Sequence, residues 1–264
     1  MTPPSVVLTI GGFDGSGGAG TLADARAIQL NGGYPCAIVT AVTAQNTKHV
    51  ERVQPVSSEL LRHQLHCVVD DFAIDAIKIG LLPNVECVDT VTQHLGTGRL
   101  RCPVVVDPVM CATSGTRLID DDVLDGLMDR LVPHATLMTP NIAEATTLTS
   151  RSIKTIEDAV EAGRQLVDMG CKNVLVKGGH LDADRGTDVW CYDEGFETFE
   201  PAARLEHSVR GTGCMLSSSI ACNLAQAKSM REAILSSKEF VLRAISNRHS
   251  LGQGTPLTTL GIQV

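Results

Sequence analysis

Short, unbroken apolar runs recur along the chain, and most lead into a longer stretch whose apolar residues return at helical spacing. Residues 5–10, 36–42, 76–79, 104–107, 136–139 and 174–177 read as strands, because continuous Val, Ile and Leu suit a strand buried on both faces. Residues 19–31, 59–69, 85–95, 121–131, 155–169, 212–227 and 230–248 read as helices. In the first of these, Leu22, Ala25, Ile28 and Leu30 fall near one face. Thr155 and Asp158 have the spacing of a capping box. Residues 189–192 and 197–199 resemble a hairpin turning at Glu194 and Gly195.

Strands alternating with helices predict an α/β fold: a mostly parallel sheet flanked by helices on both faces, three layers in all. No Pro/Ser-rich linker, repeat or low-complexity segment interrupts the pattern, so one domain over residues 1–264 is expected. In such sheets a ligand lies beyond the carboxyl ends of the strands. The glycine-rich stretch 11–20, Gln45, Asp107, Asn141 and Lys177 all fall there.

Composition narrows the ligand. A net charge of −8 opposes polyanions, and 3% aromatic residues leave little for base stacking, so nucleic acid is not an expected partner. Phosphates, if bound, must be held locally against that field. Nine cysteines with no Cys-x-x-Cys pair read as reduced thiols of a cytoplasmic protein rather than disulfides or a zinc site. No basic residue precedes Arg26 and no apolar run is long enough for a bilayer, so neither a signal peptide nor a membrane span is expected.

Four constellations carry candidate chemistry. In the first, Gly15, Gly17 and Gly20 match Gly-x-Gly-x-x-Gly, the dinucleotide fingerprint. The match sits several residues past the first strand, however, and the acidic residue expected about 20 positions on is missing. The Gly-Lys-Ser/Thr ending of a P-loop is missing too. Six glycines in residues 11–20 point instead to close approach of backbone to a ligand, with Asp24 one turn into the next helix at the same end. In the second, Asp107-Pro108-Val109-Met110 and Asn141 with Glu144 offer oxygen ligands suited to magnesium. Asn141 equally suits the N-cap of the helix it opens, Asp107 suits a cap as well, and both roles can coexist.

In the third, Lys177 leaves an apolar strand into Gly178 and Gly179, placed to reach a phosphate as a point charge or simply to end the strand. His180 reads as structural. The fourth is Arg210-Gly211-Thr212-Gly213-Cys214 at the start of a helix rich in small residues. Unpaired amides at a helix N-terminus form an anion site. The same field is expected to lower the Cys214 pKa toward thiolate and make it a base or polariser. A small buried residue at a helix start is the alternative.

Taken together, these blocks resemble the ribokinase-like superfamily, and more narrowly the hydroxymethylpyrimidine/phosphomethylpyrimidine kinases of thiamine biosynthesis. The resemblance covers nearly the whole chain in order. It begins with Thr9-Ile10-Gly11-Gly12, Asp14, the run from Ser16 to Gly20, and Ala23-Asp24. It continues with the run from Thr40 to Thr47, Lys78-Ile79-Gly80-Leu81-Leu82, and Asp107-Pro108-Val109-Met110. It ends with Thr139-Pro140-Asn141 and Glu144, Lys177-Gly178-Gly179-His180-Leu181, and Gly211-Thr212-Gly213-Cys214.

The resemblance implies ATP with Mg2+ and transfer of the γ-phosphoryl group to 4-amino-5-hydroxymethyl-2-methylpyrimidine and its monophosphate, in a homodimer. It implies a pyrimidine subsite at Gly12, Asp24, Thr43, Gln45, Gly80 and Val109, where the Gln45 amide offers both a donor and an acceptor to an aminopyrimidine edge. It further implies an ATP subsite at Asn141, Lys177, Gly179 and Thr212, metal ligands at Asp107 and Glu144, and catalysis by Gly211, Thr212, Gly213 and Cys214 with Lys177. Cys214 stands where most ribokinase relatives carry Asp.

The chain departs from the pattern at Thr113, where a lysine is usual, at Phe13 and Gly15 in the opening loop, and at Arg210, where a histidine is common. Arg210 is a candidate replacement for the charge missing at position 113. Three other functions fit parts of the pattern: a pyridoxal/pyridoxine kinase, a non-catalytic pyrimidine-binding protein and a dinucleotide-dependent oxidoreductase.

Overall fold

The computed structural model describes residues 2–112, 114–120, 122–179, 186–201 and 209–262. Within them β1 (Val6–Asp14), α1 (Gly20–Leu30), β2 (Tyr34–Gln45), β3 (Val50–Pro55), α2 (Ser58–Asp71), β4 (Ala76–Ile79), α3 (Val85–Gly96) and β5 (Val104–Val106) form the first half. The second half holds α4 (Val123–Gly126), β6 (Leu137–Met138), α5 (Ile142–Thr149), α6 (Ile156–Asp168), β7 (Asn173–Val176), β8 (Asp188–Tyr192) and β9 (Gly195–Phe199). It closes with α7 (Thr212–Ala225), α8 (Met230–Ser246), β10 (Arg248–His249) and β11 (Leu257–Thr258).

Nine strands form one sheet in the order β3-β2-β1-β4-β5-β6-β7-β8-β9. The pairs from β2 through β7 are parallel, and the outer pairs β2–β3, β7–β8 and β8–β9 are antiparallel. The central strands are apolar on both faces because both are covered. Leu8, Ile77, Val104, Val106, Met138 and Val174 pack with residues of α2, α3 and α6. Their neighbours Val7, Ala76, Val105, Leu137 and Leu175 pack on the other face against Ile28 of α1, Leu216 and Ile220 of α7, and Ile234 of α8. A three-layer ribokinase-like α/β fold results. The strand order turns at β1, flanked by β2 on one side and β4 on the other, and a crevice opens there beyond the strand ends.

The expected elements are present, with informative differences. β1 continues through the glycines to Asp14, because a register shift between Gly11 and Gly12 lets the strand keep pairing with β2. β3 was not expected: it is a half-exposed edge strand carrying Glu51, Arg52 and Pro55, without an apolar run. The helix expected over 121–131 is α4 followed by a wide turn Leu127–Leu131 and a tight one Val132–His134; its first residue lies outside the described residues. The capping box of α6 is formed by Thr155 and Asp158 as expected.

Candidate active site

A cavity of about 800 Å³ opens beyond the carboxyl ends of β1, β2 and β4 to β7. Gly12, Asp24, Thr43, Gln45 and Val109 line it. Asn141, Glu144, Lys177 and Gly179 line it too, and Asp107 and the turn from Arg210 to Cys214 lie on its wall. Gly80 does not line it. Its N–H donates to Ile10 O at 2.8 Å, and an added Cβ would lie 2.7 Å from Lys78 Nζ. Gly80 therefore makes room for a buried lysine. Thr113, Leu181 and His180 lie outside the described residues.

Helix capping sorts the elements around this cavity. Side chains of Ser57, Asn84, Asn141, Thr155 and Ser229 cap α2, α3, α5, α6 and α8. Among the described helices of eight or more residues, α1 and α7 lack a side-chain cap, and both open on the cavity. Their first amides keep the partial positive charge that a cap would quench. Gly211 is the N-cap of α7 at φ 77°, a left-handed conformation, and an added Cβ would lie 2.0 Å from Gly18 O. Only glycine permits the α7 N-terminus to dock against the loop leading into α1. The Gly20 N–H at the start of α1 points to the Cys214 sulfur, so the two helix ends converge on that thiol.

Two buried ion pairs flank the convergence. Lys78 Nζ reaches both oxygens of Asp24, at 2.9 and 3.0 Å, with the two side chains 1% and 0% exposed. Thr9 Oγ1 and Ser218 Oγ donate to the same carboxylate at 2.7 and 2.8 Å. Three donor groups thus make four hydrogen bonds to Asp24, which holds Lys78 and also lines the cavity. Burial presses Lys78 to lose its proton, but the Asp24 carboxylate, with Asp107, outweighs it and the amine stays charged. Motif reasoning gives Lys78 no role. The available signal is a lysine inside the apolar run 76–79, since such a charge must find a partner.

The second pair joins Lys177 Nζ to Asp107 Oδ1 at 2.7 Å, with Glu144 Oε2 at 3.9 Å from the same nitrogen. Thr139 Oγ1 and Ser217 Oγ also donate to Asp107, at 3.3 and 3.4 Å. Burial would raise the Asp107 pKa, yet Lys177 and Lys78 together hold it below the usual carboxylate range. Gly213 lies against this pair, since an added Cβ would be 3.3 Å from Lys177 Nζ. Asn141 acts as the cap its position suggested, in a reciprocal box with Glu144 at 2.7 and 2.9 Å.

The expectation for the ionisation of Cys214 changes. Burial pushes the Cys214 thiol up to about 11, outweighing the pull of Lys78 and of the Gly20 N–H. The thiol is therefore neutral near pH 7, and the helix field does not make it a thiolate. Arg210, the candidate replacement for the charge at position 113, is engaged by protein groups. Its guanidinium is buried between Asp14, 3.5 Å from Nε, and the side-chain oxygen of Gln45.

Glu144 is pushed the other way from Asp107. Burial, aided by Asp107, raises it to about 7 despite Lys177. Its folded-state pKa lies above the unfolded value, so its ionisation destabilises the fold above pH 7 and not below pH 4.5. Glu144→Gln keeps the capping geometry without the charge. It is expected to raise stability by about 1–2 kcal/mol at pH 8, less than the full conversion of the shift because the amide is itself desolvated. At pH 4.5 it should change little. Urea midpoints at the two pH values check this, and an equal effect at both contradicts it.

Uncapped helix amides, two buried lysines and oxygen donors around a cavity at the strand ends are the parts that phosphoryl transfer needs. The class they define is a small-molecule kinase of the ribokinase-like fold. The chain belongs to the phosphomethylpyrimidine kinase family, whose pattern it matches over residues 14–258.

It is 36% identical over 249 residues to the hydroxymethylpyrimidine/phosphomethylpyrimidine kinase of Aquifex aeolicus, covering 94% of this chain and 97% of that protein. It is 40% identical over 252 residues to the thiamine biosynthesis bifunctional protein ThiED of Geobacter sulfurreducens, covering 96% of this chain and 51% of that protein, so the chain spans about half of that relative. Among solved structures, the pyridoxal kinase of Staphylococcus aureus in complex with AMP-PCP and pyridoxal superposes with a TM-score of 0.87 at 28% identity, covering 97% of this chain and 93% of that one. No described helix is long and apolar enough to cross a membrane.

Proposed function

We propose that this cavity transfers the γ-phosphoryl group of ATP to 4-amino-5-hydroxymethyl-2-methylpyrimidine and then to its monophosphate, as one step of thiamine biosynthesis. The convergence of the two uncapped helices α1 and α7 on Cys214, beside Lys177, carries the reading. The pyrimidine sits at Gly12, Thr43, Gln45 and Val109, with Asp24 and Gly80 holding Lys78 beneath it. ATP takes the end formed by Asn141, Lys177, Gly179 and Thr212. Lys177 and the amides of Gly211, Thr212 and Gly213 neutralise the oxygens of the group in transfer, a task of positioning and charge rather than covalent chemistry.

Mg2+ fits the donor set. Among the described residues no three carboxylate, Cys or His groups cluster as a metal site. Magnesium asks for less than that: one or two carboxylates, with phosphate oxygens and water completing the shell. Asp107 and Glu144 would hold it, and the raised pKa of Glu144 marks a carboxylate whose charge a cation would stabilise. Bound there, the ion would neutralise phosphate charge.

A neutral Cys214 cannot serve as a strong base, but it can orient a hydroxyl. The monophosphate is already anionic near neutral pH and needs no such help. Cys214→Ala is therefore expected to lower kcat on the hydroxymethyl substrate by about tenfold or more and on the monophosphate by only about twofold. Steady-state kinetics on both substrates checks this, and equal losses contradict it.

The structural likeness to a pyridoxal kinase supports a second reading, vitamin-B6 phosphorylation in the same cavity. Comparing kcat/KM on the pyrimidine and on pyridoxal decides between them; pyridoxal ahead by orders of magnitude would replace the substrate. A homodimer is the assembly we favour, and a cytoplasmic location accords with nine unbridged cysteines.

A further inference from the structure

Arg210 occupies the junction of four segments, directly before the Gly211–Cys214 turn. It is 2% exposed. Its Nη2 donates to Gln45 Oε1, and its Nε lies 3.5 Å from Asp14 Oδ2. Its backbone N–H donates to Pro256 O at 3.1 Å. Its stem packs on the glycine loop, where a Cβ on Gly18 would lie 2.8 Å from Arg210 Cδ. The tail that holds it is tied down beside Gln45 as well: Gly254 N–H donates to Thr47 Oγ1 and Thr255 N–H to Thr47 O, both at 3.0 Å. The guanidinium cannot swing away without moving the opening loop and the tail together.

A guanidinium carries donors and no acceptor. Whatever occupies the cavity, Gln45 must therefore turn its amide oxygen toward Arg210. The amide nitrogen faces the other way, on a residue that lines the cavity, and it has no hydrogen-bond partner among the described residues. A glutamine free to rotate offers a ligand a donor or an acceptor interchangeably, whereas one pinned by arginine offers an N–H alone.

We propose that Arg210 is a specificity-determining residue: by fixing the Gln45 amide with its NH2 toward the cavity, it requires the ring edge bound there to present a hydrogen-bond acceptor, such as an unprotonated ring nitrogen. The inference rests on the functional reading above, which places the pyrimidine at Gln45. It replaces the looser expectation that Gln45 serves a donor and an acceptor of the ring alike. Arg210 acts through Gln45 and need not touch the ligand.

The test is a cycle between protein and ligand. The probes are 4-amino-5-hydroxymethyl-2-methylpyrimidine and the two analogues in which one ring nitrogen is replaced by C–H. Kd is measured by calorimetry without nucleotide, and KM and kcat with ATP. For the wild type, one analogue should bind about tenfold more weakly in both Kd and KM, with kcat nearly unchanged, the effect of one lost neutral hydrogen bond.

Gln45→Glu has no donor and pairs with Arg210, so the parent should weaken to the level of that analogue and the ratio fall to about one. Asp14→Asn/Arg210→Gln removes both charges, leaving no buried carboxylate without its partner, and lets the amide turn. The ratio should again fall toward one. If that double variant fails to fold by circular dichroism, the Gln45→Glu arm decides. Equal binding of all three compounds to the wild type overturns the proposal, as does a full tenfold ratio kept in Gln45→Glu. A wild type that binds none of them overturns the functional reading, and the proposal with it.

Discussion

Lys78→Met is expected to destabilise the protein by about 3–5 kcal/mol, a large share of the stability of an ordinary domain. The substitution keeps the volume of the side chain and removes its charge. Asp24 would then sit 0% exposed with only Thr9 and Ser218 as donors. A buried carboxylate without its cation is the costly state, not the absence of the pair itself. Asp24→Asn/Lys78→Met, which removes both charges, should therefore recover most of the loss. Urea unfolding of the wild type, the single and the double variant measures this. A double variant no more stable than the single one would show that Asp24 is not the group Lys78 neutralises.

Lys177→Gln is expected to lower kcat by about 10²–10³ while leaving KM for the pyrimidine within a few fold. The asymmetry follows from position. Lys177 follows β7 beside Asn141, whereas Gln45 ends β2, and four strands of the sheet lie between β2 and β7. Its ammonium sits between Asp107 and Glu144, and Gly213 abuts it. It is thus placed to meet charge that develops on a transferring phosphoryl group, which a ground-state ring would not feel. Asp107 retains the field of Lys78, so the fold should survive, as the melting temperature will report. A large rise in KM at unchanged kcat would instead make Lys177 a ground-state anchor.

Much of this site was legible in the order of residues because the chemistry sits where the strands end. Runs such as Val104–Val106 and Asn173–Val176 announce buried parallel strands, and the residue after each is then on the ligand side. Asp107 and Lys177 follow directly. Asn141 suits both a cap and a ligand contact from its position, and the structure shows the cap, in a box with Glu144, on a residue that lines the cavity.

What the residue order hid were interactions between distant segments. Lys78 and Asp24 are 54 positions apart, and Arg210 and Gln45 165 apart. Spacing along the chain says nothing of such contacts. Asp24 consequently reads from the chain order as a cavity carboxylate, with no sign that it also holds Lys78. Cys214 misled for a different reason. A helix N-terminus lowers a thiol pKa when solvent can support the charge, but here burial dominates and the pKa rises. The edge strand β3 carries no apolar run because its residues are mostly solvated, so periodicity had nothing to report.

The central claim is that one cavity phosphorylates the hydroxymethyl group and then the resulting phosphate. The direct measurement is 31P NMR of the purified protein with 4-amino-5-hydroxymethyl-2-methylpyrimidine, ATP and Mg2+, with pyridoxal in a parallel reaction. The account predicts that the monophosphate signal rises first and gives way to the paired doublets of a diphosphate, with ADP formed at each step, faster than any phosphorylation of pyridoxal. ADP accumulating with no phosphorylated pyrimidine, or pyridoxal phosphate forming while the pyrimidine stays unchanged, would contradict it.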